Sequence, residues 1–273
     1  MATAQGSGVP IMPNLSIPAF YINLDRDHSR RVRFEEELAT AGLRAERISA
    51  VDGRAVPDWL QTFYDNRMSD GEIGCSASHL VIYRSIVERG LPYALVLEDD
   101  ARLERDCLCA LTIALKTVPR DWDIIRLIET SSRPLQRLVD IGQGKSLVRY
   151  LRVPRSTTGL VVSLSGARKL LTPRLIKEPI DVEIRWPWQL DLNVYGIDPP
   201  PVTQASGTEV ETTIPARSRP KKNNQLQRMV FNIRKMGLGP YLTCCLGLET
   251  RLPADQGQLS RGTVMLSTKP QKA

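Results

Sequence analysis

Residues 69–103 read "SDGEIGCSASHLVIYRSIVERGLPYALVLEDDARL", and the order of signals within them decides the fold. Ser69 and Glu72 stand in capping-box spacing, so each can satisfy a free backbone N–H of the other at a helix start. Ile73, Ala77, Leu80 and Val87 then recur along one helical face, and Gly90 supplies a stop. A short apolar run follows, Ala94 to Leu97, and ends on Glu98, Asp99 and Asp100. A run without polar alternation suits a strand buried on both faces, as in the middle of a parallel sheet. Three carboxylates at the end of such a strand form either a solvated turn or a place for a divalent cation.

The flanking sequence repeats the alternation of strand and helix. "AFYINLD" (19–25) has strand composition, and residues 27–42 place Phe34, Leu38 and Ala41 at helical spacing before Gly42. "AERISAVDGR" (45–54) predicts a second strand that breaks at Asp52-Gly53. Beyond the carboxylates the pattern predicts a helix from about 104 to 118 and strands at "WDIIRLI" (122–128) and "TTGLVVS" (157–163). A helix at "SGARKLL" (165–171) and a late strand at "LNVYGID" (192–198) complete it. This is an α/β chain with a mainly parallel sheet and helices on both faces. In such sheets ligands bind beyond the carboxyl ends of the strands, where the carboxylates sit.

The 273 residues fit one large domain, here 18–211, between a disordered leader (1–17) and a basic tail (212–273). Five cysteines without a C-x-x-C pair, and histidine only at His28 and His79, argue against a disulfide framework and against a zinc cage. No run approaches the ~20 apolar residues needed to cross a bilayer, and the expected location is cytoplasmic. The net charge of +7 equals the seven basic residues of 212–248, which contain no Asp or Glu. The rest of the chain is therefore neutral, and nucleic acid is not an expected partner.

The pieces "FYINLDRDHSRR", "AVDGR", "GEIGCSASHL" and "LVLEDDARL", followed by "TTGLVVSLSGARKLL", "PIDVEI" and "VYGIDPPPVTQ", occur in the order and spacing of glycosyltransferase family 25. The resemblance spans roughly residues 18–206. The family is similar to lipopolysaccharide and lipooligosaccharide sugar transferases and to collagen galactosyltransferases. The resemblance implies a GT-A fold, a UDP-sugar donor, often UDP-galactose, a glycan or glycolipid acceptor, a divalent cation (Mn²⁺ or Mg²⁺) and inversion at the anomeric carbon.

Glu98 and Asp100, alternate residues if the strand continues, would point the same way and match the acid-x-acid metal pattern of GT-A enzymes. Asp99 would point oppositely, toward ribose or a loop. No histidine follows His79, so water, diphosphate or a carboxylate must complete a metal shell. Asp181 is the candidate base, with Glu183 and Asp191 as rivals and a structural helix cap as the alternative. Asn23, Arg26, Arg30 and Asp52 follow the first two strand ends and are expected on the donor side; the arginines could equally be solvated helix charges. His79 is assigned to the donor side against a structural role. Gly74, unfavourable in a helix, implies a close approach by a neighbouring strand or the sugar. Trp186 and Trp188 are expected to stack on the acceptor or to anchor the core.

Two further readings stay open. A nucleotidyltransferase would share the sheet and acidic site, but should carry a glycine-rich phosphate loop after the first strand, which "YINLDRD" lacks. A non-catalytic glycan-binding protein would not need the carboxylates. In the tail, Leu226, Met229, Val230 and Ile233 recur at helical spacing. That amphipathic pattern either packs its apolar side on the domain or docks on an anionic membrane surface.

Overall fold

The structure is a computed structural model and describes residues 17–61, 63–128, 134–205 and 224–247. The expected leader, apart from Ile17, and most of the expected tail lie outside the described residues. The chain runs through β1 (Ala19–Asn23), α1 (His28–Thr40), β2 (Glu46–Ser49), α2 (Asp58–Gln61), α3 (Asp70–Glu88), β3 (Tyr93–Glu98) and β4 (Ala101–Leu103). It continues through α4 (Cys107–Thr117), β5 (Ile124–Arg126), β6 (Leu135–Gly142), β7 (Lys145–Tyr150), β8 (Gly159–Ser163) and α5 (Leu164–Leu170). The last elements are α6 (Ile180–Ile184), a 3-10 turn (Pro187–Gln189), β9 (Val194–Asp198), β10 (Val202–Gln204), α7 (Gln225–Met236) and α8 (Leu238–Cys245).

Eight strands form one sheet in the order β2-β1-β3-β8-β5-β9-β7-β6, and β10 pairs with β4 beside it. The α/β expectation holds, but the sheet is mixed. β1 pairs in parallel with β2 and β3, and β5 with β9, whereas β8 runs antiparallel between β3 and β5. The hairpin β6–β7 adds further antiparallel pairing at one edge of the sheet.

Burial explains the order. Ala94, Leu95, Val96 and Leu97 of β3 are fully buried, and every residue of β8 is buried beside them, so the two most apolar strands occupy the middle of the sheet. One face carries α3, α5 and α6 over Phe20, Val96, Leu160 and Val162, and the other carries α1 and α4 over Tyr21, Leu95, Leu97 and Val161. The ends follow the local signals. Ser69 Oγ accepts from the Glu72 N–H while Glu72 Oε2 accepts from the Ser69 N–H at 2.9 Å, so the capping box is closed on both sides. Gly42 and Gly90 take left-handed conformations (φ +67° and +60°) just past α1 and α3.

Candidate active site

The carboxyl ends of β1, β2 and β3 open together with the first turns of α3 onto a cleft of about 490 Å³. All seven residues expected on the donor side line it: Asn23, Arg26, Arg30, Asp52, Gly74, His79 and Asp99. Glu98 lines it as well.

The carboxylate triad is not a continued strand. β3 ends at Glu98, and Asp99 and Asp100 form a turn into β4. The same-side placement expected for Glu98 and Asp100 from strand alternation is therefore replaced by a turn that sends each acid to different partners.

Asp99 is held at the strand ends, where Asn23 Nδ2 donates to its Oδ2 at 2.7 Å and Arg30 pairs with its Oδ1. Arg47 Nε in turn donates to Asn23 Oδ1 at 3.1 Å, so β1, β2, β3 and α1 are laced together beneath the cleft. Arg30 is thus not a solvated helix charge. Asp52 is an exposed rim residue clamped by Arg54 at 2.6 Å, which holds its carboxyl well below the usual range.

Glu98 faces α3. His79 Nε2 lies 3.1 Å from Glu98 Oε1, and Thr157 Oγ1 donates to the same oxygen at 2.6 Å. An ionised carboxylate only accepts, so Nε2 directs an N–H at Glu98, and the Tyr83 hydroxyl lies 3.4 Å from Nδ1. Burial pushes the Glu98 carboxyl up, but the bonds from His79 and Thr157 and the Arg30 charge outweigh it and leave it lowered. His79 is completely buried, and the contact its Nε2 makes is with Glu98.

Asp100 is buried at 7% exposure. Gln204 Nε2 donates to its Oδ2 at 2.6 Å, whereas Oδ1 is buried with no hydrogen-bond partner among the described residues. Burial first, then the Glu98 charge, push this carboxyl up to about 6. A second acid that is buried, half-partnered and repelled by the first is a place that a cation would stabilise. Glu98 also belongs to the one three-group metal-type cluster among the described residues: ligand atoms of Cys75, His79 and Glu98 lie within 4.8 Å of one another. Burial raises the Cys75 thiol well above its ordinary value, and both His79 nitrogens are engaged. The oxygen set of Glu98 and Asp100 therefore fits a hard divalent cation better than the sulfur and nitrogen set does.

Asp181 lies on the first turn of α6, which α3 anchors through the Ile180 N–H donating to Ser76 Oγ at 3.1 Å. Its carboxyl is raised, by burial first; Arg155 and the Val182 N–H pull it back, and the Glu98 charge pushes with burial. The rivals sit elsewhere in chemical terms. Glu183 is committed to Arg174 at 2.5 Å, and Asp191 binds Lys235 at 3.0 Å and Arg234.

The structure does not bring the tryptophans to the cleft. Trp188 packs its ring edgewise on Phe231 of α7 at 6.5 Å, and neither it nor Trp186 lines the cavity beside the carboxylates. The 3-10 turn that carries Trp188 needs a cover, and α7 supplies it. Thr157, Ser78, Gln204 and Arg155 were missed by sequence reasoning. Thr157 reaches Glu98 only because distant β8 pairs with β3, which no local pattern encodes. Ser78 Oγ donates to the Gly74 carbonyl at 2.7 Å and accepts from the Val51 N–H at 2.8 Å.

Gly74 has a geometric reason. A Cβ there would stand 2.5 Å from the Val51 carbonyl oxygen and 3.0 Å from the Gly53 nitrogen. The close neighbour is the loop after β2, not the sugar itself. Gly74→Ala is therefore expected to push that loop off α3 and to destabilise the fold by about 1 to 3 kcal/mol. Alanine is otherwise the better helix former by about 0.8 to 1 kcal/mol, so a variant at least as stable as wild type in thermal melts would refute the close-approach account.

The family model described as "Glycosyltransferase family 25 (LPS biosynthesis protein)" matches residues 16–183. Procollagen galactosyltransferase 1 of Danio rerio is 31% identical over 180 residues, covering 60% of this chain and 30% of that protein. Procollagen galactosyltransferase 1-A of Xenopus laevis is 30% identical over 183 residues, 60% of this chain and 29% of that protein. A Rattus norvegicus protein named "Probable inactive glycosyltransferase 25 family member 3" is 29% identical over 210 residues, 70% of this chain and 36% of that protein. The chain thus spans about a third of the length of these relatives. The matched stretch holds β1 to α6, from the Asn23–Asp99 lacing through Glu98 and Asp100 to Asp181, and by that match the chain belongs to glycosyltransferase family 25.

Proposed function

We propose that this protein is an inverting glycosyltransferase that moves a hexose, galactose first among them, from a UDP-sugar to a glycan or glycolipid acceptor of the lipopolysaccharide type at the cytoplasmic side of a membrane. The observation that carries the reading is the convergence of the seven donor-side residues with Glu98 on one cleft at the strand ends. Relatives named as galactosyltransferases support the choice of sugar. A cation, Mn²⁺ or Mg²⁺, held by Glu98 and Asp100 would supply Lewis-acid neutralisation of the departing diphosphate.

The chain's own residues divide the remaining work. Arg26 and Arg30 are the cations set to meet the donor's diphosphate, Arg30 held in place by Asp99, and Asn23 and Asp99 fix the strand ends beneath. His79 and Thr157 pin one oxygen of Glu98. Asp181, held high by burial, takes the acceptor hydroxyl's proton as the oxygen attacks opposite the leaving group. Three relatives are named as inactive or probable inactive family members, and donor binding without transfer is the reading set against this one; the half-partnered Asp100 of this chain favours catalysis.

The test is a screen of UDP-sugars with and without a lipooligosaccharide acceptor panel, following UDP release and product mass. UDP-galactose turnover that chelation abolishes and Mn²⁺ restores is the expected result. Binding without turnover of any donor would mark a non-catalytic protein. Pyrophosphate release from a nucleoside triphosphate and a sugar phosphate would mark a nucleotidyltransferase.

A further inference from the structure

The two C-terminal helices carry an apolar face that nothing among the described residues covers. On α7, Leu226, Met229 and Val230 are exposed, Leu226 at 68%. On α8 and the residue that caps it, Leu238, Leu242 and Leu246 recur every fourth residue on one stripe and are exposed, Leu246 at 72%. The two helices meet at Gly237 and pack on each other.

The opposite side of this hairpin is already attached to the body. Phe231 is buried against Trp188, and Asn232 Nδ2 donates to the Leu151 carbonyl at 2.8 Å. Arg149 donates to the Lys235 carbonyl, Lys235 bonds Asp191, and Cys244 is buried against β6 with its thiol 3.6 Å from the Leu135 carbonyl oxygen. Of the two sequence alternatives for this amphipathic segment, packing its apolar side on the domain is therefore not what the structure shows for Leu226, Met229 and Val230. The anchoring face is Phe231, Asn232 and Lys235, and the leucine face points away.

Charge selects the occupant. Residues 212–248 hold seven basic and no acidic residues, four of them, Arg217, Arg219, Lys221 and Lys222, just ahead of α7 in the sequence. Two copies of the chain meeting on this face would bring two such segments together, whereas an anionic bilayer attracts one, each nearby cation adding about 1 kcal/mol. We propose that the α7–α8 face docks this protein on an anionic membrane surface, with the leucines entering the boundary of headgroups and acyl chains and the net positive charge of the segment favouring anionic headgroups. Docking is independent of glycosyl transfer, since it is read without donor or acceptor.

The test uses the full chain and sedimentation with vesicles of phosphatidylcholine alone or with about 30 mol% phosphatidylglycerol, at low and at physiological salt. Binding to the anionic vesicles, weakened by salt and reduced at least tenfold in Leu226→Glu/Val230→Glu and in Leu242→Glu, is expected. All three positions are exposed, so melts of both variants matching wild type show that the loss is not unfolding. Equal binding to neutral vesicles, or wild-type binding by both variants, overturns the proposal. So does light scattering that finds a dimer which these substitutions dissolve, because a second copy would then be the occupant.

Discussion

An Asp100→Asn enzyme is expected to melt higher than wild type in metal-free buffer at pH 7 and to have lost transfer activity. The expectation rests on one buried carboxyl with an orphaned oxygen, pushed up to about 6 by burial and by Glu98. The ordinary value is 3.8, and at about 1.4 kcal/mol for each pH unit the ionised form costs the apo fold up to about 3 kcal/mol. Asparagine keeps an oxygen for Gln204 and removes the charge.

The sign follows from linkage. An acid whose folded value is raised destabilises the fold fully above that value, and the penalty disappears as pH falls through about 6 toward 3.8. The stability gap between variant and wild type should therefore be about 1 to 3 kcal/mol at pH 7, or about 2 to 8 °C in melting temperature, and should close by about pH 4. Adding Mn²⁺ should raise the wild-type melt and leave the variant where it was. Measuring both melts across pH by calorimetry, with and without Mn²⁺, decides the matter. A variant less stable than wild type at pH 7, or one that Mn²⁺ stabilises equally, would remove Asp100 from the cation site.

This carboxyl also shows how far the sequence could be read. That β3 is central and ends on acids was legible, because a buried strand needs an unbroken apolar run and its end must surface in the crevice. Which acid does what was not. Strand alternation paired Glu98 with Asp100, but the chain turns at Asp99, and only the turn separates an oxygen pinned by His79 and Thr157 from one left without a partner. Likewise the donor-side residues were legible as a group because they follow consecutive strand ends. The cost of a helical glycine marked Gly74, yet only the packing of the loop after β2 identifies its neighbour as Val51.

The antiparallel insertion of β8 and the hairpin β6–β7 escaped for a related reason. Alternation of strand and helix sets the parallel core, whereas long-range pairing is chosen by burial across the whole sheet. Trp188 escaped because its ring is covered by Phe231, more than forty residues away, and an aromatic beside a proline reads alike as a sugar platform or a core anchor.

Asp181→Asn is expected to lower transfer to acceptor by about 10² to 10⁴-fold, the usual worth of a positioned general base, while UDP-sugar affinity stays within about twofold. The amide keeps the shape of the carboxyl and its acceptor for the Val182 N–H, which holds it at the first turn of α6. What it cannot do is accept the hydroxyl proton at neutral pH. The environment of Asp181 suits that task, because burial and the nearby Glu98 raise its proton affinity while Arg155 keeps it from rising without limit. Glu183→Gln provides the contrast: its carboxylate is spent on Arg174 at 2.5 Å, so that variant should lose stability and show a much smaller fall in kcat relative to the folded fraction. Single-turnover transfer, donor-titration calorimetry and melting curves on the two variants separate these roles. If Asp181→Asn loses donor binding and transfer in equal measure, the residue belongs to the donor site or to the fold; if Glu183→Gln loses transfer at full stability and full donor affinity, the proton goes to Glu183 instead.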